Sequence, residues 1–300
     1  GRLKECEYPV TGSETFNREW TYDRADRVTL VQEKGTGGAT PTPIAQFTYN
    51  KASQETQVLY KNNAKTTWDY VPYYGFLDKI THKNPSLETI ASFDYDYDKD
   101  GLRTKVTLED GSYIDYSYDV LTRLKDEHKK TSGGNTIWRR EYSYDKVGNR
   151  TQLIRNDGAG GTTYAYTYNG LGQLTKVEWP SGSPTSRIEY TYDDNGNLST
   201  KTQKSGAQWN TDVSWTYHWD VQDRLIAASK DKAGGEPGDA KVEYRYCPAC
   251  GGAMTERIEY NNDSGGAVLS WLRYEYDGLN LLRIDQKYDT DEDQVLEEGD

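Results

Sequence analysis

One phrase recurs along nearly the whole chain, and it leaves room for only one kind of secondary structure. Its clearest copy is Tyr142-Ser143-Tyr144-Asp145-Lys146-Val147-Gly148-Asn149-Arg150-Thr151. Tyr142 and Tyr144 alternate with polar residues, which puts both rings on one face of a strand. Asp145 can bond its own downstream backbone, and Gly148 supplies the positive φ of a compact hairpin turn. The residue closing the aromatic-x-aromatic phrase falls at Asp23, Asn50, Val71, Asp98, Asp119, Asp145, Asn169, Asp193, Asp220, Cys247 and Asp277, at intervals of 21 to 30 residues. Two short strands and two turns fill such an interval, so no helix fits inside it.

The expected fold is therefore all-β: eleven antiparallel hairpin units over residues 16–288. A lead-in of residues 1–15 precedes them, and an acidic tail of residues 289–300 follows. Connections between units are polar and glycine-rich and vary in length, whereas the turn after each aromatic phrase stays nearly constant. A sheet of so many short strands cannot stay flat, because strand twist forces it to curl into a spiral or close into a barrel or shell. No hairpin buries a face alone, so each must pair with its neighbours. An unclosed sheet has open edges, which invite further repeats or another copy of the chain.

Composition agrees with a sheet whose packing relies on rings. Only 34% of residues are hydrophobic and four are Phe, yet there are 26 Tyr and 8 Trp. Disordered chains are poor in aromatics, so the low aliphatic content does not mean disorder. The net charge of −12 disfavours a nucleic-acid partner, which needs clustered Lys and Arg. No apolar run approaches the roughly 18 residues of a membrane-spanning helix. The chain starts at Gly1 without a Met and reads as a fragment or a processed product.

Few residues suggest chemistry. Cys247 and Cys250 form a Cys-x-x-Cys knuckle, with Cys247 at the Asp position of the phrase and Cys250 at the Gly position. Such a pair is a disulfide, a redox-labile dithiol, half of a zinc site whose other half would have to come from Cys6 and a distant His, or two inert buried thiols. Asp289, Asp291 and Asp293 have the alternate spacing of a calcium loop, but Gln294 stands where such loops carry Gly. Asp96, Asp98 and Asp100 repeat that spacing, with Asp98 already serving the phrase. No cofactor is expected beyond these calcium or zinc readings. His82, His128 and His218 belong to no catalytic motif, and no nucleophile elbow or phosphate loop is present, so no catalytic residue is assigned. The Trp residues are spread too evenly to mark one sugar-binding cleft and read as packing between strands.

The phrases Tyr142 to Thr151, Tyr166-Thr167-Tyr168-Asn169-Gly170-Leu171-Gly172 and Tyr190-Thr191-Tyr192-Asp193-Asp194-Asn195-Gly196 resemble the tyrosine-aspartate (YD) repeats of the rearrangement-hotspot (Rhs) family. The resemblance covers about nine-tenths of the chain. It implies a spiralling antiparallel sheet closed into a hollow shell. In bacterial members the shell encloses a C-terminal toxin or effector, and in animal teneurins a similar barrel serves adhesion. The Asp-Pro autocleavage signature of cargo-releasing members is not in this sequence. The resemblance thus implies a non-enzymatic wall segment that encapsulates or displays a polypeptide, at a bacterial cell surface or outside the cell. A cell-surface adhesion or carbohydrate-binding module with glycan partners is the alternative, followed by a self-assembling fibre or tube.

Overall fold

The computed structural model describes residues 4–9, 15–34, 40–158, 160–233, 240–248, 252–261, 268–277 and 280–288. It divides into two compact units, Gly1–Glu141 with Asn156–Gly160, and Tyr142–Arg155 with Gly161–Asp300. The described residues form strands and turns throughout, with no α-helix and so no helix long and apolar enough to cross a membrane.

The first unit carries β1 (Glu5–Pro9), β2 (Thr15–Tyr22), β3 (Val28–Lys34), β4 (Thr42–Tyr49), β5 (Glu55–Tyr60), β6 (Lys65–Tyr70), β7 (Leu77–Lys83), β8 (Thr89–Tyr97), β9 (Arg103–Leu108), β10 (Tyr113–Tyr118), β11 (Leu124–Lys130) and β12 (Thr136–Tyr144), whose last residues pass into the second. Each pairs antiparallel with the next. The second unit continues with β13 (Arg150–Asn156), β14 (Gly161–Tyr168), β15 (Leu174–Trp179), β16 (Ser186–Tyr192), β17 (Leu198–Ser205), β18 (Asn210–Trp219), β19 (Leu225–Lys232), β20 (Ala240–Tyr246), β21 (Met254–Tyr260), β22 (Val268–Asp277) and β23 (Asn280–Tyr288). From β14 onward each strand again pairs antiparallel with its successor. The all-β hairpin repeat expected from the phrase is the fold. Within the lead-in, β1 adds one more strand to the edge of β2.

Cross-strand pairing explains how so few aliphatics suffice. In several phrases the first aromatic stands opposite an aliphatic on the following strand: Phe47 opposite Val58, Trp68 opposite Ile80, Tyr95 opposite Val106, Tyr166 opposite Val177. Such ring-aliphatic pairs are the unit of sheet stabilisation. Val58, Val106 and Val177 belong to the small set of buried apolar side chains, with Ala45 and Ile258. No large side chain is fully buried among the described residues, so the core is a thin stripe. Cross-strand ion pairs such as Lys130–Asp115 (2.8 Å) and Lys204–Glu189 (2.5 Å) are partly exposed, where each is worth little.

Candidate functional site

The turn that follows each aromatic phrase is where the recurring chemistry of the repeat gathers. At Asp145 the backbone N–H bonds the Asn149 carbonyl (2.9 Å), and the Gly148 N–H returns to the Asp145 carbonyl (3.3 Å). Gly148 sits at φ +100°, Gly172 at +77° and Gly196 at +90°, which favours a residue without Cβ. The same loop closes at Asp23, Asn50, Asp98, Asp119, Asn169, Asp193 and Asp220. Its left-handed residue is not always Gly: Asp26, Ser53, Thr122 and Asp223 fill it with φ between 58° and 66°.

The closing side chain caps its own turn. One oxygen of Asp145 accepts from the N–H groups of Val147 and Asn149, at 3.0 and 2.8 Å. Asn169 and Asp193 do the same for the residues two and four positions on. The other end of the side chain meets the side chain four residues on, and the two are matched in hydrogen-bond sense. An acid meets a donor: Asp23 with Arg27, Asp119 with Arg123, Asp220 with Arg224, Asp145 with Asn149, Asp193 with Asn197. An amide meets an acceptor: Asn50 donates to Gln54 and Asn169 to Gln173, at 2.8 and 2.6 Å.

Charge follows geometry. The Arg27 guanidinium holds the Asp23 carboxyl below the usual carboxylate range despite partial desolvation, and Arg224 does the same for Asp220. At Asp145 desolvation pulls upward but is outweighed by donors from Asn149, Val147 and Gly148. With the acceptor-donor match in mind, Asp119→Asn is expected to lower the melting temperature, because its new amide would face the Arg123 donor. Adding Arg123→Gln recreates the Asn50–Gln54 pair and should recover more than half of the loss. A double variant no more stable than Asp119→Asn alone would refute the pairing rule.

In at least eight phrases the second aromatic ties its repeat to the one before it. The Tyr49 hydroxyl donates to the Val28 carbonyl (2.8 Å), Tyr97 to Leu77 (2.7 Å), Tyr118 to Arg103 (2.8 Å), Tyr168 to Arg150 (2.9 Å) and Tyr192 to Leu174 (2.7 Å). Trp219 replaces the hydroxyl with its indole N–H, which reaches the Leu198 carbonyl at 2.8 Å. Burial raises the pKa of Tyr49, Tyr70, Tyr118, Tyr192 and Tyr246, and also of Tyr166 and Tyr190, the first aromatics of their phrases.

These opposite shifts bracket the stable pH range. The carboxylates of Asp23, Asp119, Asp145 and Asp220 bind their protons less tightly when folded, so their contribution is present above about pH 4 and is lost as pH falls through the folded values. The tyrosines bind theirs more tightly, so their contribution is complete below about pH 10 and is lost as pH rises through the folded values. His128 adds to the acid side, because desolvation lowers its pKa and its contribution is lost as pH falls below about 6.5. Melting temperature should be flat from about pH 7 to 9 and decline on both sides, and a decline inside that window would contradict this assignment.

The other sequence candidates fare differently. Cys247 is disulfide-bonded. Its N–H bonds the Ala253 carbonyl and the Gly252 N–H returns to it, with Gly252 at φ +83°. That turn is two residues longer than the Asp and Asn turns, so Gly252 takes the left-handed position expected for Cys250, and Cys250 itself lies outside the described residues. Asp289, Asp291 and Asp293 also lie outside them. Among the described residues no three His, Cys, Asp or Glu side chains gather as a metal site. His82 bonds Thr66 through Nδ1 and His128 bonds Thr136 through Nε2, at 2.9 and 2.8 Å, in separate places. Trp138, Trp209 and Trp215 lie under Arg140, Arg187 and Lys201.

Comparison with known proteins gives the same repeat. Among solved structures the chain is similar to TcdB2-TccC3, with 16% identity over 90% of this chain and 18% of that one (TM-score 0.43). It is similar to the Photorhabdus luminescens Tc holotoxin pore, with 15% identity over 90% and 17% (TM-score 0.44), and to a porin-like protein from Bacteroides uniformis, with 12% over 76% and 94% (TM-score 0.33). The chain spans less than a fifth of the toxin-complex chains it matches. No curated protein matches it. The family model Teneurin YD-shell matches residues 81–291, more than half of the sequence. On that match the chain belongs to the teneurin YD-shell family.

Proposed function

We propose that the chain is a wall segment of a shell that encloses a polypeptide, a toxin or effector, outside the cytoplasm. Its role is structural: membership of the YD-shell family supports it, and no catalytic grouping stands out among the described residues. The observation that carries the reading is the recurring side-chain tie from a repeat to its predecessor within each unit, because such ties let hairpins add one by one into an extended wall. The disulfide at Cys247 supports an oxidising compartment.

Electron microscopy of the chain produced together with the sequence flanking it in its gene tests this reading. A hollow particle with interior density that disappears when the downstream sequence is deleted is the expected result. Flat sheets, or filaments that lengthen with concentration, would replace it with the self-assembly reading.

A further inference from the structure

One turn of the first unit is built unlike the Asp and Asn turns, and it carries aromatic rings out into solvent. The turn after β6 closes with Val71, which has no side-chain oxygen to cap the loop. It is one residue longer, with the Val71 N–H on the Phe76 carbonyl and the Gly75 N–H on the Val71 carbonyl. Its hold comes from the preceding turn, where the Gln54 Nε2 donates to the Gly75 carbonyl at 2.8 Å. Tyr73 lies in left-handed backbone at φ 72°, which strains a bulky residue, and it is fully exposed, so no burial offsets the strain. By contrast Trp209, also left-handed, is covered by Arg187 at 4.2 Å.

The neighbouring ring is held ready. Tyr74 is 73% exposed yet stacks on Phe76, with centroids 5.8 Å apart and planes 13° from parallel. Phe76 rests in turn on Tyr97 at 5.2 Å, and the Tyr97 hydroxyl is tied to the Leu77 carbonyl. Tyr74 is a wall shared by two clefts. One, of about 400 Å³, opens toward the Asp98 turn, with Phe76, Asp78, Asp98 and Lys99 among its lining. The other, of about 650 Å³, opens toward the Asn50 turn, with Lys51, Tyr70, Pro72 and Tyr73 among its lining. Both volumes are those of small-ligand sites.

The polar groups beside these rings decide what can cover them. Asp98 caps its turn through one oxygen, but Leu102 stands where Asp23, Asp119 and Asp220 meet an arginine, so its second oxygen has no hydrogen bond among the described residues. Asp78, at the bulge between the Tyr70–Leu77 and Asp69–Lys79 pairs, likewise has none among them. The apolar side chains of a protein partner would strip water from these carboxylates and pair them with nothing. A lysine stands beside each cleft, Lys99 and Lys51, and Arg103 already covers Tyr95 at 4.5 Å, so the surroundings do not select a cation. Asp96 takes no part, because alternation along β8 turns it away from Tyr95 and Tyr97. A neutral ligand with an apolar face and a rim of hydroxyls fits both the rings and the acceptors.

We propose that the Tyr73–Tyr74 turn binds a neutral oligosaccharide, one sugar face lying on the Tyr74 ring, Tyr73 gripping the adjoining sugar, and hydroxyls donating to Asp78 and Asp98. The C–H face of a pyranose packs on an aromatic ring as other apolar groups do, and hydroxyl-to-carboxylate bonds are charge-assisted. A ring already stacked in place loses little freedom on binding.

Calorimetry on the whole chain with cellotetraose, maltotetraose and N-acetylchitotetraose tests the proposal. At least one is expected to bind, with an affinity that added salt leaves unchanged because the sugar carries no charge. Tyr73→Ala with Tyr74→Ala should weaken that binding about tenfold or more, and Asp78→Ala about threefold or more. Tyr73→Phe with Tyr74→Phe keeps the rings and should stay within about threefold. Tyr60→Ala removes an exposed ring at the far end of β5 and should stay within about twofold. Circular dichroism checks the fold of each variant, and Asp78→Ala decides the matter if the double alanine variant unfolds. No binding of any of these sugars, an undiminished affinity in the folded alanine variants at the turn, or an equal loss in Tyr60→Ala would overturn the proposal. So would self-association in sedimentation that the double alanine variant abolishes, since the rings would then meet a second copy of the chain.

Discussion

Val58→Asp is expected to cost about 4 kcal/mol or more, because the site offers a carboxylate neither water nor a partner. Val58 is 4% exposed, with Phe47 opposite it on β4 and Thr66, equally buried, opposite it on β6. Val58→Ala, which only empties space, should cost about 1–3 kcal/mol, since a thin stripe of core can partly collapse. The two variants also differ in pH response. Burial raises the pKa of the introduced carboxyl above its unfolded value, so its penalty applies at neutral pH and shrinks as pH falls through the folded value. Urea unfolding at pH 7 and pH 5 measures both effects. An Asp variant no weaker than the Ala variant at pH 7 would mean that this stripe is wet.

The second large effect separates two reasons for glycine. Gly101→Val and Gly148→Val both force a β-branched residue into left-handed backbone, at about 1–2 kcal/mol. A Cβ at Gly148 meets nothing within 4 Å, so that cost stands alone. A Cβ at Gly101 falls 2.8 Å from the Phe76 ring, closer than real side chains approach, so that ring must also shift. Gly101→Val should therefore be the weaker variant by a further 1–2 kcal/mol or so, from overpacking. Equal losses in denaturant unfolding would show that Phe76 yields without cost.

The sequence made the tyrosines, the closing acids and the glycines legible because each repeats at fixed spacing. The residue four positions after the closing acid was equally visible at Arg27, Arg123 and Arg224, but its meaning lies in a match between two side chains, which alignment on one residue type does not expose. Four connections at the far ends of the hairpins escaped for another reason. Tyr60 to Ala64, Asn84 to Glu88, Leu108 to Ser112 and Thr131 to Asn135 close with the same pair of backbone bonds as the Asp turns. Asn84 and Thr131 cap their turns by accepting from the Glu88 and Asn135 N–H groups, but Tyr60 and Leu108 carry no such side-chain acceptor, so no one residue type marks all four. The Cys250 assignment failed on spacing: it assumed the left-handed residue always comes third, and two inserted residues moved it to Gly252.

The tie between neighbouring repeats has a consequence for how such a chain can change length. Every donor looks for a carbonyl a fixed step beyond the preceding turn, whatever that repeat is made of, so the parts are interchangeable. Removing residues 169–192 would leave Tyr168 immediately before Asp193. Tyr168 would still reach Arg150, the Asp193 turn would still close on Asn197, and Trp219 would still reach Leu198. A gene for this protein can lose or gain a whole period by recombination and keep the turns and ties on either side of the join, so the cross-strand pairs at the join alone are exchanged, as Tyr166 would face Lys201 in place of Val177.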